Sequence, residues 1–479
     1  MNRHTKIVAT LGPSSRDPGV LEELIRAGVD VVRLNFSHGA AAEHVALATL
    51  VRQIAAKIGR PIGILADLQG PKIRVGKFES GKITLETGDH FILDAKCTLG
   101  NQERVGLDYK DLPNDVSTGN VLLLDDGRIV LDVDQVIGHE IHTTVRDGGD
   151  LSNNKGINRQ GGGLSAPALT AKDMDDIKTA AQIGADFLAI SFPKSAADMY
   201  MARQLMRASG GHALTIAKIE RVEAVAALEE ILDASDGLMV ARGDLAVEVG
   251  DAAVPALQKR MIRLAREKNK LAITATQMME SMILSPTPTR AEVSDVANAV
   301  LDGTDAVMLS AETAAGNHPV KTVQSMARIC LEAEKSVLIK LDHEFLDRIF
   351  TRIDQSIAMA ALFAAYHLNV KAIAALTSSG STALWMSRLN CGIPIFALTQ
   401  EPASLSKMTL YREVFPLLLE ENHRDREGMR YDAEQRLIEA GVVKTGDLIV
   451  LSYGDLRGVS GGTNTLTIVR VGDQSPPND

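Results

Sequence analysis

The sequence predicts an α/β protein built on a (β/α)8 TIM barrel, with a small β domain inserted in it and a second α/β domain after it. Three observations favour this fold class. Short apolar runs of strand length alternate with helical patterns from residue 6 to residue 312, as parallel strands buried on both faces do. Residues 74–167 interrupt the alternation with short strands broken by Gly, Asp and Asn. A third set of strands and helices begins beyond residue 341.

Each predicted barrel strand is a short apolar run that ends in polar residues. Several of the helices between them open with capping residues, for example Asp17 and Thr170. In a barrel of this kind the active site lies at the carboxyl ends of the strands, so the polar endings are candidate site residues. The predicted strands are 6–12, 31–37, 61–70, 187–193, 215–220, 238–244, 272–277 and 307–312, and the predicted helices include 18–27, 40–58, 171–183 and 196–208.

The inserted unit is predicted to be a small β-barrel domain that could close over the barrel as a lid. Hairpin signals occur at residues 126–127 (Asp-Gly) and 147–149 (Asp-Gly-Gly). Its predicted strands are 82–86, 91–93, 121–124 and 129–134.

The third unit is predicted to be an α/β domain with a parallel sheet, containing a helix at 354–368 and strands at 372–376, 395–398 and 448–451. The predicted domains are the barrel at 1–73 and 168–341, the lid at 74–167 and the C-terminal domain at 342–479.

Composition excludes several classes of function. The 479 residues carry a net charge of −10, which argues against general nucleic-acid binding. No apolar run reaches the length of a transmembrane helix. Cys97, Cys330 and Cys391 lack the paired spacing of a zinc or redox site, so buried thiols in a reducing compartment are expected. We therefore expect a cytoplasmic protein.

Charged and hydroxyl side chains follow successive predicted strands. Glu220 and Asp244 close neighbouring strands, and paired carboxylates at one rim suit Mg²⁺, which prefers oxygen ligands. Lys218 lies two residues before Glu220 and so faces the same side, where a cation would stabilise a transferring phosphoryl group or an enolate. A simple salt bridge between Lys218 and Glu220 is the alternative for the lysine, and surface acids or helix caps are the alternative for the two carboxylates. Thr276 offers a hydroxyl at the next strand end, although a threonine there is more often structural.

A second polar ending follows the strand at 31–37. Arg33, Asn35 and Ser37 alternate and share one face, which suits an arginine reaching phosphate with oxygen ligands beside it. His38 is either a nucleotide contact or a histidine of the rim. Ser310 and Glu312, at the last barrel strand, receive no role.

Five segments of the chain carry a family resemblance: 5–13 (TKIVATLGP), 33–39 (RLNFSHG), 239–245 (MVARGDL), 275–282 (ATQMMESM) and 286–293 (PTPTRAEV). They resemble the pyruvate kinase family and stand in its order, so that the resemblance covers nearly the whole chain. It implies Mg²⁺-dependent transfer of a phosphoryl group from phosphoenolpyruvate to ADP, giving pyruvate and ATP, the last step of glycolysis. It also implies a homotetramer.

The resemblance also implies residue roles. Glu220 and Asp244 match ligands of Mg²⁺, for which Mn²⁺ is a possible substitute. Lys218 matches a residue that stabilises charge during transfer, and Arg33 a phosphate contact. Substrate contacts extend to Gly243, Asp244 and Thr276, and the expected nucleotide contacts are Asn35, His38, Arg74 and Lys155.

One departure from the family concerns potassium. Many members hold K⁺ at positions matching Asn35, Ser37, Asp67 and the residue after Asp67. In those members the loop that begins at the Asp67 position usually reads Asp-Thr-Lys-Gly-Pro-Glu. Here residues 67–72 read DLQGPK, so Lys72 replaces a glutamate. A tethered ammonium could supply the charge that K⁺ otherwise provides, which predicts an enzyme that does not require K⁺. The alternative is that Lys72 points to solvent and the ion still binds.

The C-terminal domain resembles the family's regulatory domain. Residues 377–382 (TSSGST) lie between a strand and a helix, where backbone N–H groups and hydroxyls can hold phosphate. The expected effector is a sugar phosphate or a nucleotide monophosphate, and the alternative is a plain capped helix. The candidate contacts are Thr377, Ser378, Ser379, Ser381, Thr382 and Arg457.

Two other functions are compatible with the rim. A magnesium-dependent barrel lyase also needs paired carboxylates, but it needs no lid carrying a nucleotide contact such as Lys155. A binding protein that has lost catalysis would be expected to lack a site residue, whereas all five are present: Arg33, Lys218, Glu220, Asp244 and Thr276.

Overall fold

The computed structural model describes residues 3–336, 349–389, 391–420, 426–454 and 461–473. Its strands fall into a closed barrel, two small sheets of the inserted domain and one C-terminal sheet. The strands are β1 (Lys6–Thr10), β2 (Val31–Asn35), β3 (Gly63–Asp67), β4 (Lys82–Leu85), β5 (His90–Asp94), β6 (Arg104–Gly106), β7 (Val121–Leu124), β8 (Ile129–Ile137), β9 (Glu140–Asp147), β10 (Gly149–Ser152), β11 (Ile157–Arg159), β12 (Phe187–Ile190), β13 (Leu214–Ile219), β14 (Gly237–Ala241), β15 (Leu271–Ala275), β16 (Ala306–Leu309), β17 (Ala372–Leu376), β18 (Ile395–Thr399), β19 (Val414–Leu418), β20 (Leu448–Gly454) and β21 (Thr463–Arg470).

The helices alternate with the barrel and C-terminal strands. Two of those predicted from sequence, at 18–27 and 196–208, have the predicted bounds. The helices are α1 (Pro18–Ala27), α2 (Ala41–Ile58), α3 (Leu112–Asp115), α4 (Ala171–Gln182), α5 (Ala196–Ala208), α6 (Val222–Ala226), α7 (Leu228–Asp233), α8 (Arg242–Val249), α9 (Val254–Glu267), α10 (Arg290–Leu301), α11 (Ala311–Ala314), α12 (Pro319–Ser336), α13 (Ile353–Leu368), α14 (Ser381–Ser387), α15 (Pro402–Lys407) and α16 (Arg426–Glu439).

Eight parallel strands close the barrel in the order β1-β16-β15-β14-β13-β12-β3-β2. β1, β3, β12, β14, β15 and β16 are buried along their whole length, as expected for strands covered by helices outside and by packed side chains inside. The predicted barrel is confirmed. Because neighbouring strands are parallel, their carboxyl ends meet at one rim, and the order of strands decides which side chains meet there.

Local sequence fixes where the helices begin. Asp17 accepts hydrogen bonds from the backbone N–H groups of Gly19 and Val20, and Pro18 occupies the first turn of α1, where its missing N–H costs nothing. Thr170 and Asp173 form a capping box at the start of α4. Both caps were predicted from sequence as helix starts.

The predicted strand at 238–244 is too long. β14 ends at Ala241, and Arg242 begins α8, so that Asp244 lies in the first turn of a helix rather than on a strand. The predicted strand at 307–312 is also too long, because Glu312 lies in α11. In both segments the apolar run ends the strand, and the polar residues after it form the next helix.

The inserted domain contains a six-stranded sheet, in the order β11-β7-β8-β9-β5-β6, and a separate pair, β10-β4. The hairpin predicted at 126–127 is confirmed, since Leu124 pairs with Ile129 across it. The hairpin predicted at 147–149 is wrong: β10 pairs with β4, not with β9. The apolar faces of these strands enclose a core of their own.

The C-terminal sheet has the order β19-β18-β17-β20-β21, parallel except for β21. The predicted strand at 372–376 is confirmed with its bounds. Helices α13 and α14 pack on one face, and α16 contributes to the core on the other. No helix in the described ranges has both the length and the apolar character needed to cross a membrane.

The amino-terminal end of the barrel rests on the C-terminal domain through buried polar contacts. Both Nη atoms of Arg388 bond the Asp305 carboxylate, and the two side chains are 3% and 0% exposed. Lys6 donates from Nζ to the carbonyl of Val414 at 2.7 Å. A charge pair so deeply buried fixes the contact between the two domains. Removing either partner leaves the other buried and unpaired.

Arg388→Met is therefore expected to destabilise the C-terminal domain by about 3–5 kcal/mol, because it leaves the Asp305 carboxylate buried without its cation. The single tryptophan, Trp385, lies in α14 three residues before Arg388, so its fluorescence in a urea titration reports the change. Arg146→Met, which breaks an exposed ion pair in the lid, is the control and should shift the transition by less than about 1 kcal/mol. Equal shifts in the two variants would contradict the prediction.

Candidate active site

The barrel rim brings Lys218 into contact with polar residues at the ends of β13 itself, of the neighbouring β12 and of β3, the next strand beyond β12. From β13, the Lys218 Nζ lies 2.6 Å from Ser191 Oγ, 3.0 Å from Glu220 Oε1 and 3.3 Å from Asp67 Oδ1. Burial lowers the pKa of the lysine, but attraction to Asp67 and Glu220 outweighs that effect and holds the pKa above its ordinary value. The ammonium therefore stays charged at neutral pH at the floor of the rim.

Glu220 follows β13, and Asp244 lies in the first turn of α8, which begins where the neighbouring β14 ends. The Glu220 carboxylate is buried and accepts a hydrogen bond from the Phe192 N–H at 2.8 Å. Burial raises the pKa of Glu220, attraction to Lys218 lowers it, and repulsion by Asp244 raises it further, leaving it above its ordinary value. Two carboxylates that repel each other at a rim form a donor set that a hard divalent cation would neutralise.

Arg33 joins the rim from β2. Its Nε lies 2.6 Å from Asp67 Oδ2, and its Nη1 donates to Thr10 Oγ1 at 3.0 Å. Burial raises the pKa of Asp67, but Lys218 and Arg33 outweigh it and lower the pKa below its usual range. The Asp67 carboxylate therefore anchors two cations side by side, as binding of an anionic group requires.

Thr276 follows β15 with φ of +71°, a conformation that costs a non-glycine residue on the order of 1–3 kcal/mol. Its Oγ1 accepts a hydrogen bond from the Gly243 N–H at 2.8 Å. Arg242 donates from Nη2 to the Thr276 carbonyl at 2.6 Å and is held by Asp295, also at 2.6 Å. Arg242 thus fixes the strained residue and the start of α8 together.

A cavity of about 970 Å³ opens beside Arg33. Asn35 and His38 line it, as does Ser310 from the far side. Asn35 Oδ1 accepts a hydrogen bond from the Ser37 N–H at 3.1 Å, which turns the chain at the end of β2. His38 is exposed, with its carbonyl accepting a hydrogen bond from the His44 ring at 3.0 Å. The structure thus places Asn35 and His38 on one cavity wall, next to Arg33.

The lid carries the two remaining expected nucleotide contacts. Arg74 donates to the Asn154 carbonyl at 3.3 Å, and Lys155 forms a 2.7 Å ion pair with Asp125. Both side chains are engaged within the lid rather than with the cavity wall that holds Asn35 and His38. Neither side chain is among the residues that line that cavity.

Lys72 does not point to solvent. Its Nζ lies 3.1 Å from Asp244 Oδ1 and 3.9 Å from Asp126 Oδ1 of the lid, and the side chain is 29% exposed. The loop at 67–72 therefore carries an ammonium to the edge of the carboxylate pair.

Glu312 received no role from the sequence. In the structure it joins two loops of the rim through hydrogen bonds. Its carboxylate is 2% exposed and accepts hydrogen bonds from the Met279 N–H at 3.2 Å and the Ser310 N–H at 2.6 Å. Burial raises the pKa of this carboxyl above its ordinary value. It ties together the loops that follow β15 and β16.

Sequence reasoning missed Ser191, Phe192 and Arg242. A signal exists for Ser191, because it follows the predicted barrel strand at 187–193 as a polar ending. Thr10 ends β1 by the same rule. Phe192 acts through its backbone N–H, which residue type does not indicate. Arg242 acts through the backbone carbonyl of Thr276, and no pattern of residue types predicts such a contact.

The geometry agrees with what comparison with known proteins shows. Residues 2–323 match the family model "Pyruvate kinase, barrel domain", and residues 355–469 match "Pyruvate kinase, alpha/beta domain". Together these matches span most of the chain. The chain belongs to the pyruvate kinase family.

Relatives in the pyruvate kinase family match almost from end to end. "Pyruvate kinase" of Haemophilus influenzae is 54% identical over 94% of this chain and 96% of its own length. "Pyruvate kinase II" of Salmonella typhimurium is 52% identical over 98% of this chain and 99% of its own. A "Pyruvate kinase" of Buchnera aphidicola is 51% identical with the same coverage. The barrel-domain match of the pyruvate kinase family encloses both the rim and the inserted domain.

Proposed function

We propose that this chain transfers the phosphoryl group of phosphoenolpyruvate to ADP, giving pyruvate and ATP. The observation that carries the proposal is the contact set of Lys218, whose ammonium is held between Asp67 and Glu220. Phosphoryl transfer depends on positioning and on stabilising charge, and a buried cation that stays charged supplies the second. Relatives that bear the name pyruvate kinase support the choice of reaction.

Mg²⁺ fits the carboxylates of Glu220 and Asp244. Both offer hard oxygen donors at one rim, and their mutual repulsion is the feature that a divalent cation would relieve. When bound, the ion would neutralise charge on the transferring group. The chain's own contribution is to hold Glu220 at the end of β13 and Asp244 at the start of α8, with Phe192 orienting Glu220.

The other residues have complementary roles in the proposal. Arg33, fixed by Asp67, contacts the phosphoryl group, and Lys218 stabilises its charge in transit. Thr276 and the Gly243 N–H, already hydrogen-bonded to each other, meet the carboxylate end of the substrate. The nucleotide occupies the cavity along β2 and is covered by the lid, through Asn35, His38, Arg74 and Lys155.

A lactate-dehydrogenase-coupled assay with phosphoenolpyruvate, ADP and Mg²⁺ tests the reaction. Pyruvate formation that requires both ADP and the divalent metal supports it. Pyruvate formation without ADP would instead favour a lyase, and no turnover at all would favour a binding protein.

We propose that Lys72 makes K⁺ unnecessary, and the support is its position 3.1 Å from Asp244. A tethered ammonium at this edge supplies a fixed positive charge next to the carboxylates, where a bound monovalent cation would otherwise contribute. Asn35, Ser37 and Asp67 remain as the residues of the monovalent-cation region.

Turnover in buffers free of Na⁺ and K⁺ is expected to change by less than about twofold when KCl is added, because the ammonium is covalently present. Lys72→Glu should create a requirement for K⁺, whereas the control Lys57→Met, at an exposed ion pair, should not. A large rate gain with KCl in the unmodified enzyme would show that Lys72 does not replace the ion.

We also propose an effector site at the loop after β17. The Gly380 N–H bonds Thr377 Oγ1 at 2.9 Å, and Ser379 and Ser381 hydroxyls lie 3.2 Å apart. Thr382 is 2% exposed and bonds Thr463 at 2.7 Å, so its hydroxyl is directed into the domain. Ser378 accepts a hydrogen bond at its carbonyl from Ser404. Arg457 lies outside the described residues.

A sugar phosphate or nucleotide monophosphate is expected to lower the concentration of phosphoenolpyruvate at half-saturation, by about 5- to 150-fold if the coupling is typical. Ser381→Asp should abolish the effect by repelling phosphate while leaving the basal rate intact. A reaction velocity that does not change with the concentration of either class of ligand, together with no heat of binding in calorimetry, would contradict the proposal.

The family expectation of a homotetramer is tested separately by sedimentation velocity.

A further inference from the structure

The lid returns to the barrel through three consecutive glycines. Gly161, Gly162 and Gly163 have φ of +81°, +78° and +91°, a conformation that other residues rarely adopt. Directly after them, Leu164 is buried in the lid's own core. Because Leu164 packs in the lid core, the return segment must move when the lid moves relative to the barrel.

Arg221 and Glu223 of the barrel bond the return segment, and Glu248 bonds the backbone N–H of Val222 between them. We call these three residues the lid-foot cluster. Arg221 is 4% exposed and donates from Nη1 to the Leu164 carbonyl at 3.3 Å. Glu223 accepts a hydrogen bond from the Gly163 N–H.

Arg221 also connects the lid to one proposed metal ligand. It follows Glu220 directly in the chain, and its guanidinium lies 5.2 Å from the centre of the Phe192 ring. The N–H of that same Phe192 donates to the Glu220 carboxylate at 2.8 Å. A displacement of Leu164 would therefore reach Glu220 both through its chain neighbour and through its hydrogen-bond donor.

Glu248 makes the matching connection to the second ligand. It lies on α8, four residues and about one turn after Asp244. Its buried carboxylate accepts a hydrogen bond from the Val222 N–H at 3.0 Å, and it lines the same small cavity as Asn158 of lid strand β11. The helix that carries Asp244 is thereby bonded to the segment that carries Glu220 and lies beside the lid.

We propose that the lid-foot cluster couples the position of the lid to the placement of Glu220 and Asp244. Its members are positioning residues: none contacts the space between the two carboxylates, and each acts through a neighbour. The inference rests on the proposed metal role of that pair. Since coupling is reciprocal, a divalent cation that draws the carboxylates together must also order the return segment of the lid.

The test uses the full chain, stripped of metal and then titrated with Mn²⁺ alone, without nucleotide or substrate. Calorimetry measures Mn²⁺ affinity, and hydrogen exchange measures protection of the amides of residues 157–166. In the unmodified protein, Mn²⁺ should slow exchange in this segment by roughly threefold or more. Arg221→Met and Glu223→Gln should bind Mn²⁺ within about tenfold of that affinity yet lose the exchange response. Arg146→Met, at an exposed ion pair elsewhere in the lid, should keep the response.

The outcomes separate the coupling from the metal site. Absence of Mn²⁺ binding to the unmodified protein overturns the metal role and the coupling with it. Binding without an exchange response, or a response that survives in both Arg221→Met and Glu223→Gln, overturns the coupling alone. If Arg221→Met does not fold, Glu223→Gln decides, because it changes the second contact between the barrel and the return segment.

Discussion

Replacing Lys218 with Met is expected to lower kcat about a thousandfold, the cost of removing a charged group that acts in the transition state. The ammonium has the Ser191 hydroxyl and the carboxylates of Asp67 and Glu220 within 3.3 Å, so its position is fixed before substrate arrives. No reorganisation is then needed as charge moves to the transferring group. Steady-state kinetics with saturating phosphoenolpyruvate and ADP measure the effect.

The same variant should still bind divalent metal, because methionine leaves both carboxylates in place. Removing a cation from their neighbourhood strengthens their field, so Mn²⁺ affinity should stay the same or rise. Lys57→Met is the matched control, since Lys57 forms an exposed ion pair on the barrel surface and should leave kcat within about twofold. Turnover of Lys218→Met near the unmodified value would remove the lysine from the mechanism.

Glu220→Gln is expected to weaken Mn²⁺ binding by about 100-fold or more, since even residues that only orient a metal ligand cost 10- to 100-fold when changed. The amide keeps the size of the side chain and can still accept the hydrogen bond of the Phe192 N–H. Loss of metal affinity would therefore reflect the charge and not a collapse of the rim. Titration calorimetry with the metal-free enzyme gives the constant directly.

A surface carboxylate supplies the control for this second variant. Glu229 is exposed on α7, a few residues along the chain, and Glu229→Gln should leave Mn²⁺ affinity unchanged. The activity lost in Glu220→Gln should be partly restored at high Mg²⁺ concentration. Unchanged Mn²⁺ affinity in Glu220→Gln would place the metal elsewhere.

The sequence predicted the barrel well because its strands are short apolar runs that can be buried on both faces in few other ways. It predicted strand ends less well. The run 238–244 was extended to Asp244, whereas Arg242 is drawn into a helix by its contacts with Asp295 and the Thr276 carbonyl. Those partners are distant in sequence, so a local pattern cannot locate the boundary.

The same reason explains the wrong hairpin at 147–149. Asp-Gly-Gly favours a tight turn, but Leu151 pairs with Ile83 at a distance of 68 positions along the chain, as the paired β10 and β4 require. Long-range pairing overrides local turn preference wherever a nearby strand edge is free to accept it. The hairpin at 126–127 succeeded because its partners, Leu124 and Ile129, are neighbours in sequence.

The site followed from one rule, that polar strand endings of a parallel barrel meet at one rim. The rule found Arg33, Lys218, Glu220 and Thr276. What it could not give was their partners: Phe192 acts through its N–H and Glu312 through two backbone contacts. Such roles depend on backbone position, which the types of residue in a sequence do not specify.

Phosphorus NMR of the reaction mixture tests the central claim most directly. Metal-free enzyme is mixed with phosphoenolpyruvate and ADP, and Mg²⁺ is added. The account predicts that the phosphoenolpyruvate signal is replaced by the γ-phosphate signal of ATP in equal amount, only after Mg²⁺ is present and not with Lys218→Met. Inorganic phosphate in place of ATP, or transfer at the same rate without a divalent metal, would contradict it.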